Sequence, residues 1–337
     1  MNASDAFLSP AEAAERLGVS GKALRLYEQR GLLTPVRSAA GWRTYGPDQM
    51  ARAGEIAALR ALGLSLKQVE RVLAGDGQAL APALAAHQAH LEGEAQRLAE
   101  SLTRVRALRS ALVAGLPPEM QALAALLPER GGVRVGFDLP WPWGGERFEL
   151  REIRPLTYLV GPLGSGKTQL ATRLAAEIAG AVFVGLERSR AALEVADAVQ
   201  RERVAAALDW LEEEGAAPSD ALVALLCGLE QDAGAVVVDL VEHGLDQPTQ
   251  EALGAWLRRR ATAARPLFVM TRSTALLDLT ALGADEAVLF CPANHAPPFL
   301  VPGVPGAPGY EAVASCLATP EVRARTEGVT VIRQQRA

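Results

Sequence analysis

Between Thr157 and Ala179 the sequence leaves few ways to fold. Thr157-Tyr158-Leu159-Val160 is an apolar run of β-formers, Gly161-Pro162-Leu163-Gly164-Ser165-Gly166-Lys167-Thr168 is a glycine-rich loop, and Gln169 to Ala179 reads as a helix. A strand that ends in GxxxxGK[ST] and continues as a helix is a Walker A arrangement, which calls for an α/β domain with a mostly parallel sheet. The residue types follow from the task. Glycines let backbone N–H groups approach phosphate oxygens, the helix N-terminus adds partial positive charge, Lys167 neutralises β- and γ-oxygens, and Thr168 can hold Mg2+. The expected ligand is ATP or another nucleoside triphosphate with Mg2+, held by Gly161, Gly164, Ser165, Gly166, Lys167, Thr168 and Gln169. A partner carboxylate belongs at the end of a second buried strand. Ala235-Val236-Val237-Val238-Asp239 supplies one, so Asp239 joins Thr168 as an expected Mg2+ ligand.

Composition sets the remaining bounds. At 337 residues, 49% of them hydrophobic, the chain has material for two or more domains. Its net charge of −5 is unevenly spread, since residues 1–76 carry 10 Lys and Arg against 8 Asp and Glu. A slightly basic head on an acidic body suggests two tasks. No apolar run reaches the ~18–20 residues of a membrane span, and the first ten residues lack the pattern of a secretory leader. The expectation is a cytoplasmic chain with no membrane partner. Cys227, Cys291 and Cys316 show no CxxC spacing. They read as buried apolar thiols rather than disulfide or metal ligands.

In the head, Ser9-Pro10 opens a short helix that Gly18 ends, and Ser20 caps a second that runs to Arg30. Two short helices joined by Gly18-Val19-Ser20 make a helix-turn-helix pattern. Arg37 and Gly41-Trp42-Arg43-Thr44-Tyr45 then read as a tight β-hairpin, able to lay cations and a hydroxyl along phosphates. Helices over 48–62 and 66–73 follow, broken at Gly63.

Leu24-Arg25-Leu26-Tyr27-Glu28, Gly31-Leu32-Leu33, Pro35, Gly41-Trp42-Arg43-Thr44-Tyr45 and Leu62-Gly63-Leu64-Ser65-Leu66 together resemble the DNA-binding domain of the MerR family of transcription regulators. The resemblance covers nearly all of residues 7–74. It implies a winged helix-turn-helix that contacts double-stranded promoter DNA through Arg25 and Tyr27 on the recognition helix and Arg37, Arg43 and Tyr45 in or beside the wing. Leu26 departs from the second aromatic that many members carry there.

Residues 77–132 form the connector. Leu84, Leu91, Leu98, Val105 and Leu112 recur every seven residues, a seam on one long helix that Pro117-Pro118 stops. The MerR resemblance implies a homodimer through an antiparallel coiled coil at this place. A short helix over 120–127 and a linker at Gly131-Gly132 lead into the body, residues 133–337.

In the body, strands over 133–139 and 147–153 flank a Pro/Trp/Gly turn. The loop, the stretch Asp239 to Asp246, the strand and turn over 265–273 and the strand over 284–290 resemble the ABC/SMC/RecF branch of P-loop ATPases in identity and order. The departures carry the function. Leu240 stands where that branch places a catalytic Glu, Arg272 where it places a switch His, and no LSGGQ-like stretch precedes the strand; Pro218-Ser219-Asp220 is all the corresponding region offers. Without a water-orienting carboxylate, hydrolysis should be slow or absent. Glu242 could substitute from two residues away, though a solvated place on the turn is expected. Arg272 could sense or stabilise γ-phosphate charge, with a surface Arg paired to an acidic neighbour as the equal alternative, and Glu187 is a stand-in for the usual Q-loop glutamine. Residues 291–309, rich in Pro and Gly, read as a loop.

Joined, these readings predict a dimeric, nucleotide-responsive regulator that distorts promoter DNA and so acts on RNA polymerase indirectly. Two alternatives stay open: an active P-loop ATPase or phosphotransferase with an autoregulatory head, and a DNA-maintenance or defence ATPase with the head as tether.

Overall fold

A computed structural model describes residues 7–113 and 135–325. The chain forms two compact units, Met1–Gly131 and Gly132–Ala337. The expected helix over 120–127 and the linker at Gly131-Gly132 lie outside the described residues.

The first unit opens with α1 (Pro10–Leu17), fixed by a capping box in which the Ser9 hydroxyl accepts from the Glu12 amide and Glu12 accepts from the Ser9 amide. Gly18, left-handed at φ 65°, ends it. α2 (Gly21–Gln29) starts at the Ser20 cap. β1 (Val36–Arg37) pairs antiparallel with β2 (Arg43–Thr44), Arg37 opposite Arg43. α3 (Pro47–Ala61) and α4 (Leu66–Leu73), the latter capped by Ser65 and Gln68, complete the domain. Leu24, Leu33, Tyr45, Ile56, Leu64, Leu66 and Val69 close its core.

α5 (Leu80–Val113) has 34 residues and extends about 50 Å at the helical rise. Leu84, Leu91, Leu102, Val105 and Leu112 are exposed along it. The side chain of Leu98 is outside the described set.

The second unit is built on a six-stranded sheet in the order β10-β9-β5-β8-β7-β6. Its strands are β5 (Leu156–Val160), β6 (Ala181–Val184), β7 (Ala235–Val238), β8 (Leu267–Met270), β9 (Glu286–Phe290) and β10 (Phe299–Val301). All neighbours are parallel except β10, which runs antiparallel to β9. β5, β7 and β8 are buried throughout, as parallel strands covered on both faces must be. β3 (Val135–Asp138) and β4 (Arg147–Leu150) form a separate antiparallel hairpin. Around the sheet lie α6 (Lys167–Glu177), α7 (Ala192–Val195), α8 (Ala198–Glu214), α9 (Asp220–Leu229), α10 (Gln247–Arg260), α11 (Tyr310–Cys316) and α12 (Pro320–Ala324).

Two details differ from the sequence reading. The Pro/Gly-rich stretch over 291–309 is not loop throughout, because Phe299-Leu300-Val301 pairs with Val288 to Phe290 as an edge strand. Residues 318–324 carry no motif, yet they pair with the loop after β8 and form α12.

Candidate functional site

In the second unit, β5, β8 and β7 lie side by side, and parallel strands bring their C-terminal ends to one edge of the sheet, where α/β domains bind ligands. These ends carry the Gly161 loop, Arg272 and Asp239. The loop is shaped by contacts that exclude side chains. A Cβ at Gly161 would stand 2.3 Å from the Cys291 carbonyl oxygen, and one on Gly166, left-handed at φ 89°, would stand 2.6 Å from the Trp143 ring. Trp143 is itself fixed by its indole N–H, which donates to the Ala296 carbonyl at 3.1 Å.

Lys167 Nζ donates to the Gly161 and Pro162 carbonyls at 2.8 and 2.7 Å, so the loop holds its own cation in place. Burial lowers the ammonium pKa from its ordinary value. The Thr168 hydroxyl donates to Asp239 Oδ2 at 3.3 Å, bringing together the two residues expected to share Mg2+. Burial raises the Asp239 pKa, opposed by the Thr168 hydrogen bond, Arg188 and Lys167. Ser165 is buried beneath the loop, whereas Gly164 and Gln169 are exposed. A cleft of about 260 Å³ opens above, lined among others by Trp141, Lys167, Thr168, Asp239, Leu240 and Arg272.

Two glutamates depart from expectation. Glu242 is not solvated: it is buried, and Oε1 accepts both from the Arg272 amide at 2.9 Å and from Arg323 Nη1 at 2.9 Å. A carboxylate engaged in this way is a poor water-orienting base. Arg272 is not a plain surface residue, since it lines the cleft and its buried Nε has no hydrogen-bond partner among the described residues. Glu187 is exposed, and the inward residue is its neighbour Arg188. Arg188 donates to the carbonyls of Gly185, Asp239 and Leu240 at 3.2, 2.8 and 2.9 Å. The sequence reading missed Arg188, Trp141 and Arg323. The first two lie next to motifs that drew attention, but nothing in a single sequence says which of Glu187 and Arg188 turns inward.

In the first unit, Arg25 is exposed on α2, and Arg37 is exposed on the hairpin with Nη1 donating to the Gly41 carbonyl at 3.0 Å. Trp42 at the hairpin tip is 75% exposed. Two of the other expected DNA contacts, Arg43 and Tyr45, are engaged by Glu28. Arg43 Nη1 pairs with its carboxylate at 2.9 Å, and the Tyr45 hydroxyl donates to its other oxygen. Tyr45 is wholly buried, and burial raises its phenol pKa. Tyr27 is also buried. Tyr45, with no exposed surface, has nothing to offer DNA in this arrangement. Both tyrosines are core residues, and Arg43 is partly engaged within the fold.

Residues 8–76 match the model of the MerR HTH family regulatory protein. The HTH-type transcriptional regulator HmrR of Sinorhizobium medicae (strain WSM419) is 44% identical over 64 residues, which are 19% of this chain and 44% of that protein. The chain thus spans less than half the length of this relative. Among solved structures, HiNmlR, a MerR family regulator lacking the sensor domain and bound to promoter DNA, is 23% identical with a TM-score of 0.24, over 36% of this chain and 98% of that one. An inward-facing metal-chelate type ABC transporter is matched at 13% identity and a TM-score of 0.34, over 47% of this chain and 79% of that one. Among the described residues, no helix is long and apolar enough to cross a membrane.

Proposed function

Residues 8–76 are a MerR-family helix-turn-helix domain, and on that premise we propose that the chain is a DNA-binding transcription regulator whose second unit senses a nucleoside triphosphate. The observation that carries the nucleotide reading is the convergence of Lys167, the Thr168–Asp239 pair and Arg272, whose Nε has no hydrogen-bond partner among the described residues, on one cleft. Backbone N–H groups at the start of α6 and Lys167 would hold the inner phosphates, and Thr168 and Asp239 would hold Mg2+. When bound, Mg2+ neutralises phosphate charge. The exposed ring of Trp141 at the cleft offers a surface for a base. Hydrolysis is slow in this account because Leu240 follows Asp239 and Glu242 is committed elsewhere.

The first unit supplies the output. Arg25 and Arg37 present cations to phosphates, while α2 enters the major groove. The exposed leucines of α5 would be covered by a second copy, giving a homodimer and two half-sites. A nucleotide then acts only through different affinities for two arrangements of that dimer, typically ~1–3 kcal/mol, which shifts the bending and untwisting of promoter DNA seen by RNA polymerase. The test of the nucleotide reading is equilibrium binding of ATP·Mg2+ to the full chain. The wild type should bind, and Lys167→Ala should lose binding by at least about a hundredfold, the scale of a buried charge contact to phosphate. Equal binding by both would overturn the reading.

A further inference from the structure

The backbone of Arg272 is held from both sides. Its N–H donates to Glu242 Oε1, and its carbonyl accepts from the Ala318 amide at 2.9 Å. Ser273 and Ala318 form a parallel bridge, and the Thr274 amide donates to the Ala318 carbonyl at 3.0 Å. The segment after α11 therefore adds backbone rungs to the loop that leaves β8. Pro320 and the Thr319 cap start α12, and its Arg323 reaches the same Glu242 oxygen that holds Arg272.

A mere structural tie would not look like this. The Glu242 side chain has 0% exposure, against 25% for Arg323, and its Oε2 has no hydrogen-bond partner among the described residues. A buried ion pair left partly unsatisfied adds little to stability compared with an apolar contact of the same size. It does supply a fixed anchor for the Arg272 amide. Arg272 in turn brings to the cleft a guanidinium whose buried Nε has no acceptor among the described residues. The loop amides and Lys167 already account for the inner phosphates. The donor left for an outermost phosphate is Arg272.

We propose that residues 318–324 form a strap that positions Arg272 for the terminal phosphate of a bound nucleotide, so that the cleft prefers a nucleoside triphosphate to a diphosphate. The strap rests on the nucleotide reading above. Arg323 is a positioning residue in it, acting through Glu242 and the Arg272 backbone. Because the rungs are mutual, filling the cleft with a triphosphate also tightens the strap.

The test is titration of the full-length wild type, Arg323→Met, Arg323→Lys, Arg272→Met and the double methionine variant with ATP·Mg2+ and with ADP·Mg2+. Arg323→Met should lose ATP affinity by about tenfold and change ADP affinity by less than about twofold, the scale of one charge-assisted hydrogen bond. Arg323→Lys should recover part of the loss. Arg272→Met should show the same selective loss, and the double variant should lose no more than either alone. A wild-type ATP-to-ADP preference in Arg323→Met, or an equal loss of both nucleotides, overturns the strap. Amide exchange in the wild type needs no substitution: ATP should protect the Ala318 and Thr274 amides more than ADP does, and equal protection also overturns it. Failure of the wild type to bind either nucleotide removes the nucleotide reading and the strap together. ATP binding lost in Lys167→Ala, alongside an unchanged preference in Arg323→Met, removes the strap alone.

Discussion

Arg188 donates to the carbonyl oxygens of Asp239 and Leu240 at 2.8 and 2.9 Å, fixing the turn by which the chain leaves β7. Leu240 there has φ 39°, a left-handed conformation that a branched side chain adopts only when its surroundings impose it. Arg188→Met should leave those carbonyls unpaired and destabilise the second unit by about 2–4 kcal/mol, read as its thermal or denaturant midpoint. Arg188→Lys should not rescue it, because an ammonium cannot reproduce the planar fork. A midpoint within experimental error of the wild type for Arg188→Met would contradict this role.

The two kinds of head residue should separate in a DNA-binding assay. Tyr45→Phe removes the hydroxyl that donates to Glu28 and should cost about 1–2 kcal/mol of head stability, leaving the salt dependence of DNA binding unchanged. Arg25→Ala and Arg37→Ala should do the reverse, lowering the logarithmic salt slope by about 1 each with little effect on unfolding. Weaker DNA binding by folded Tyr45→Phe at constant salt would restore it as a DNA contact, because a neutral hydroxyl releases no counterion and leaves the salt slope unchanged either way.

Asp239 gives a pH signature. Burial raises its folded-state pKa above the ordinary carboxylate value, so the folded chain binds this proton more tightly than the unfolded one. The stabilisation is therefore full below the ordinary carboxylate range and lost as pH rises through the raised value. Asp239→Asn should be more stable than wild type at neutral pH, seen as a higher Tm, with the difference shrinking as the pH falls into the ordinary carboxylate range. The same variant should lose Mg2+-dependent nucleotide binding. Thermal scans across pH check the sign, and lower stability of the variant at neutral pH would reverse the assignment.

The seam on α5 predicts an oligomeric state. Leu84 and Leu91 are 47% and 48% exposed in the single chain, more than a helix keeps without a partner for a seven-residue stripe. Leu91→Lys with Leu98→Lys should weaken a dimer by on the order of 3 kcal/mol or more, about a hundredfold in dissociation constant. Sedimentation equilibrium should then show monomers and weaker operator binding. Unchanged dimers would place the interface elsewhere.

Elements with a local signature were legible in the sequence. Ser9 and Ser20 announced helix starts, Gly18 a stop, and the run of valines before Asp239 a buried strand, because caps, turns and burial act over a few residues. The Thr168–Asp239 contact followed from a motif whose spacing embodies a ligand. What escaped depends on contacts between distant segments. Arg323 reaches Glu242 only because α12 returns to the β8 loop, and Tyr45 sits in the head core with its hydroxyl taken up by Glu28 from α2, 17 residues earlier. Hydrogen-bonding side chains in a recognition motif read alike whether they face a partner or their own core.

The central claim, that nucleotide occupancy sets how the head holds DNA, is tested most directly by footprinting the full chain on its own upstream DNA with no nucleotide, with ATP·Mg2+ and with a non-hydrolysable ATP analogue. The account predicts the same altered footprint for ATP and the analogue, lost in Lys167→Ala, with turnover too slow to matter over the experiment. A footprint indifferent to nucleotide, or one changed by ATP and not by the analogue while hydrolysis runs briskly, would contradict it.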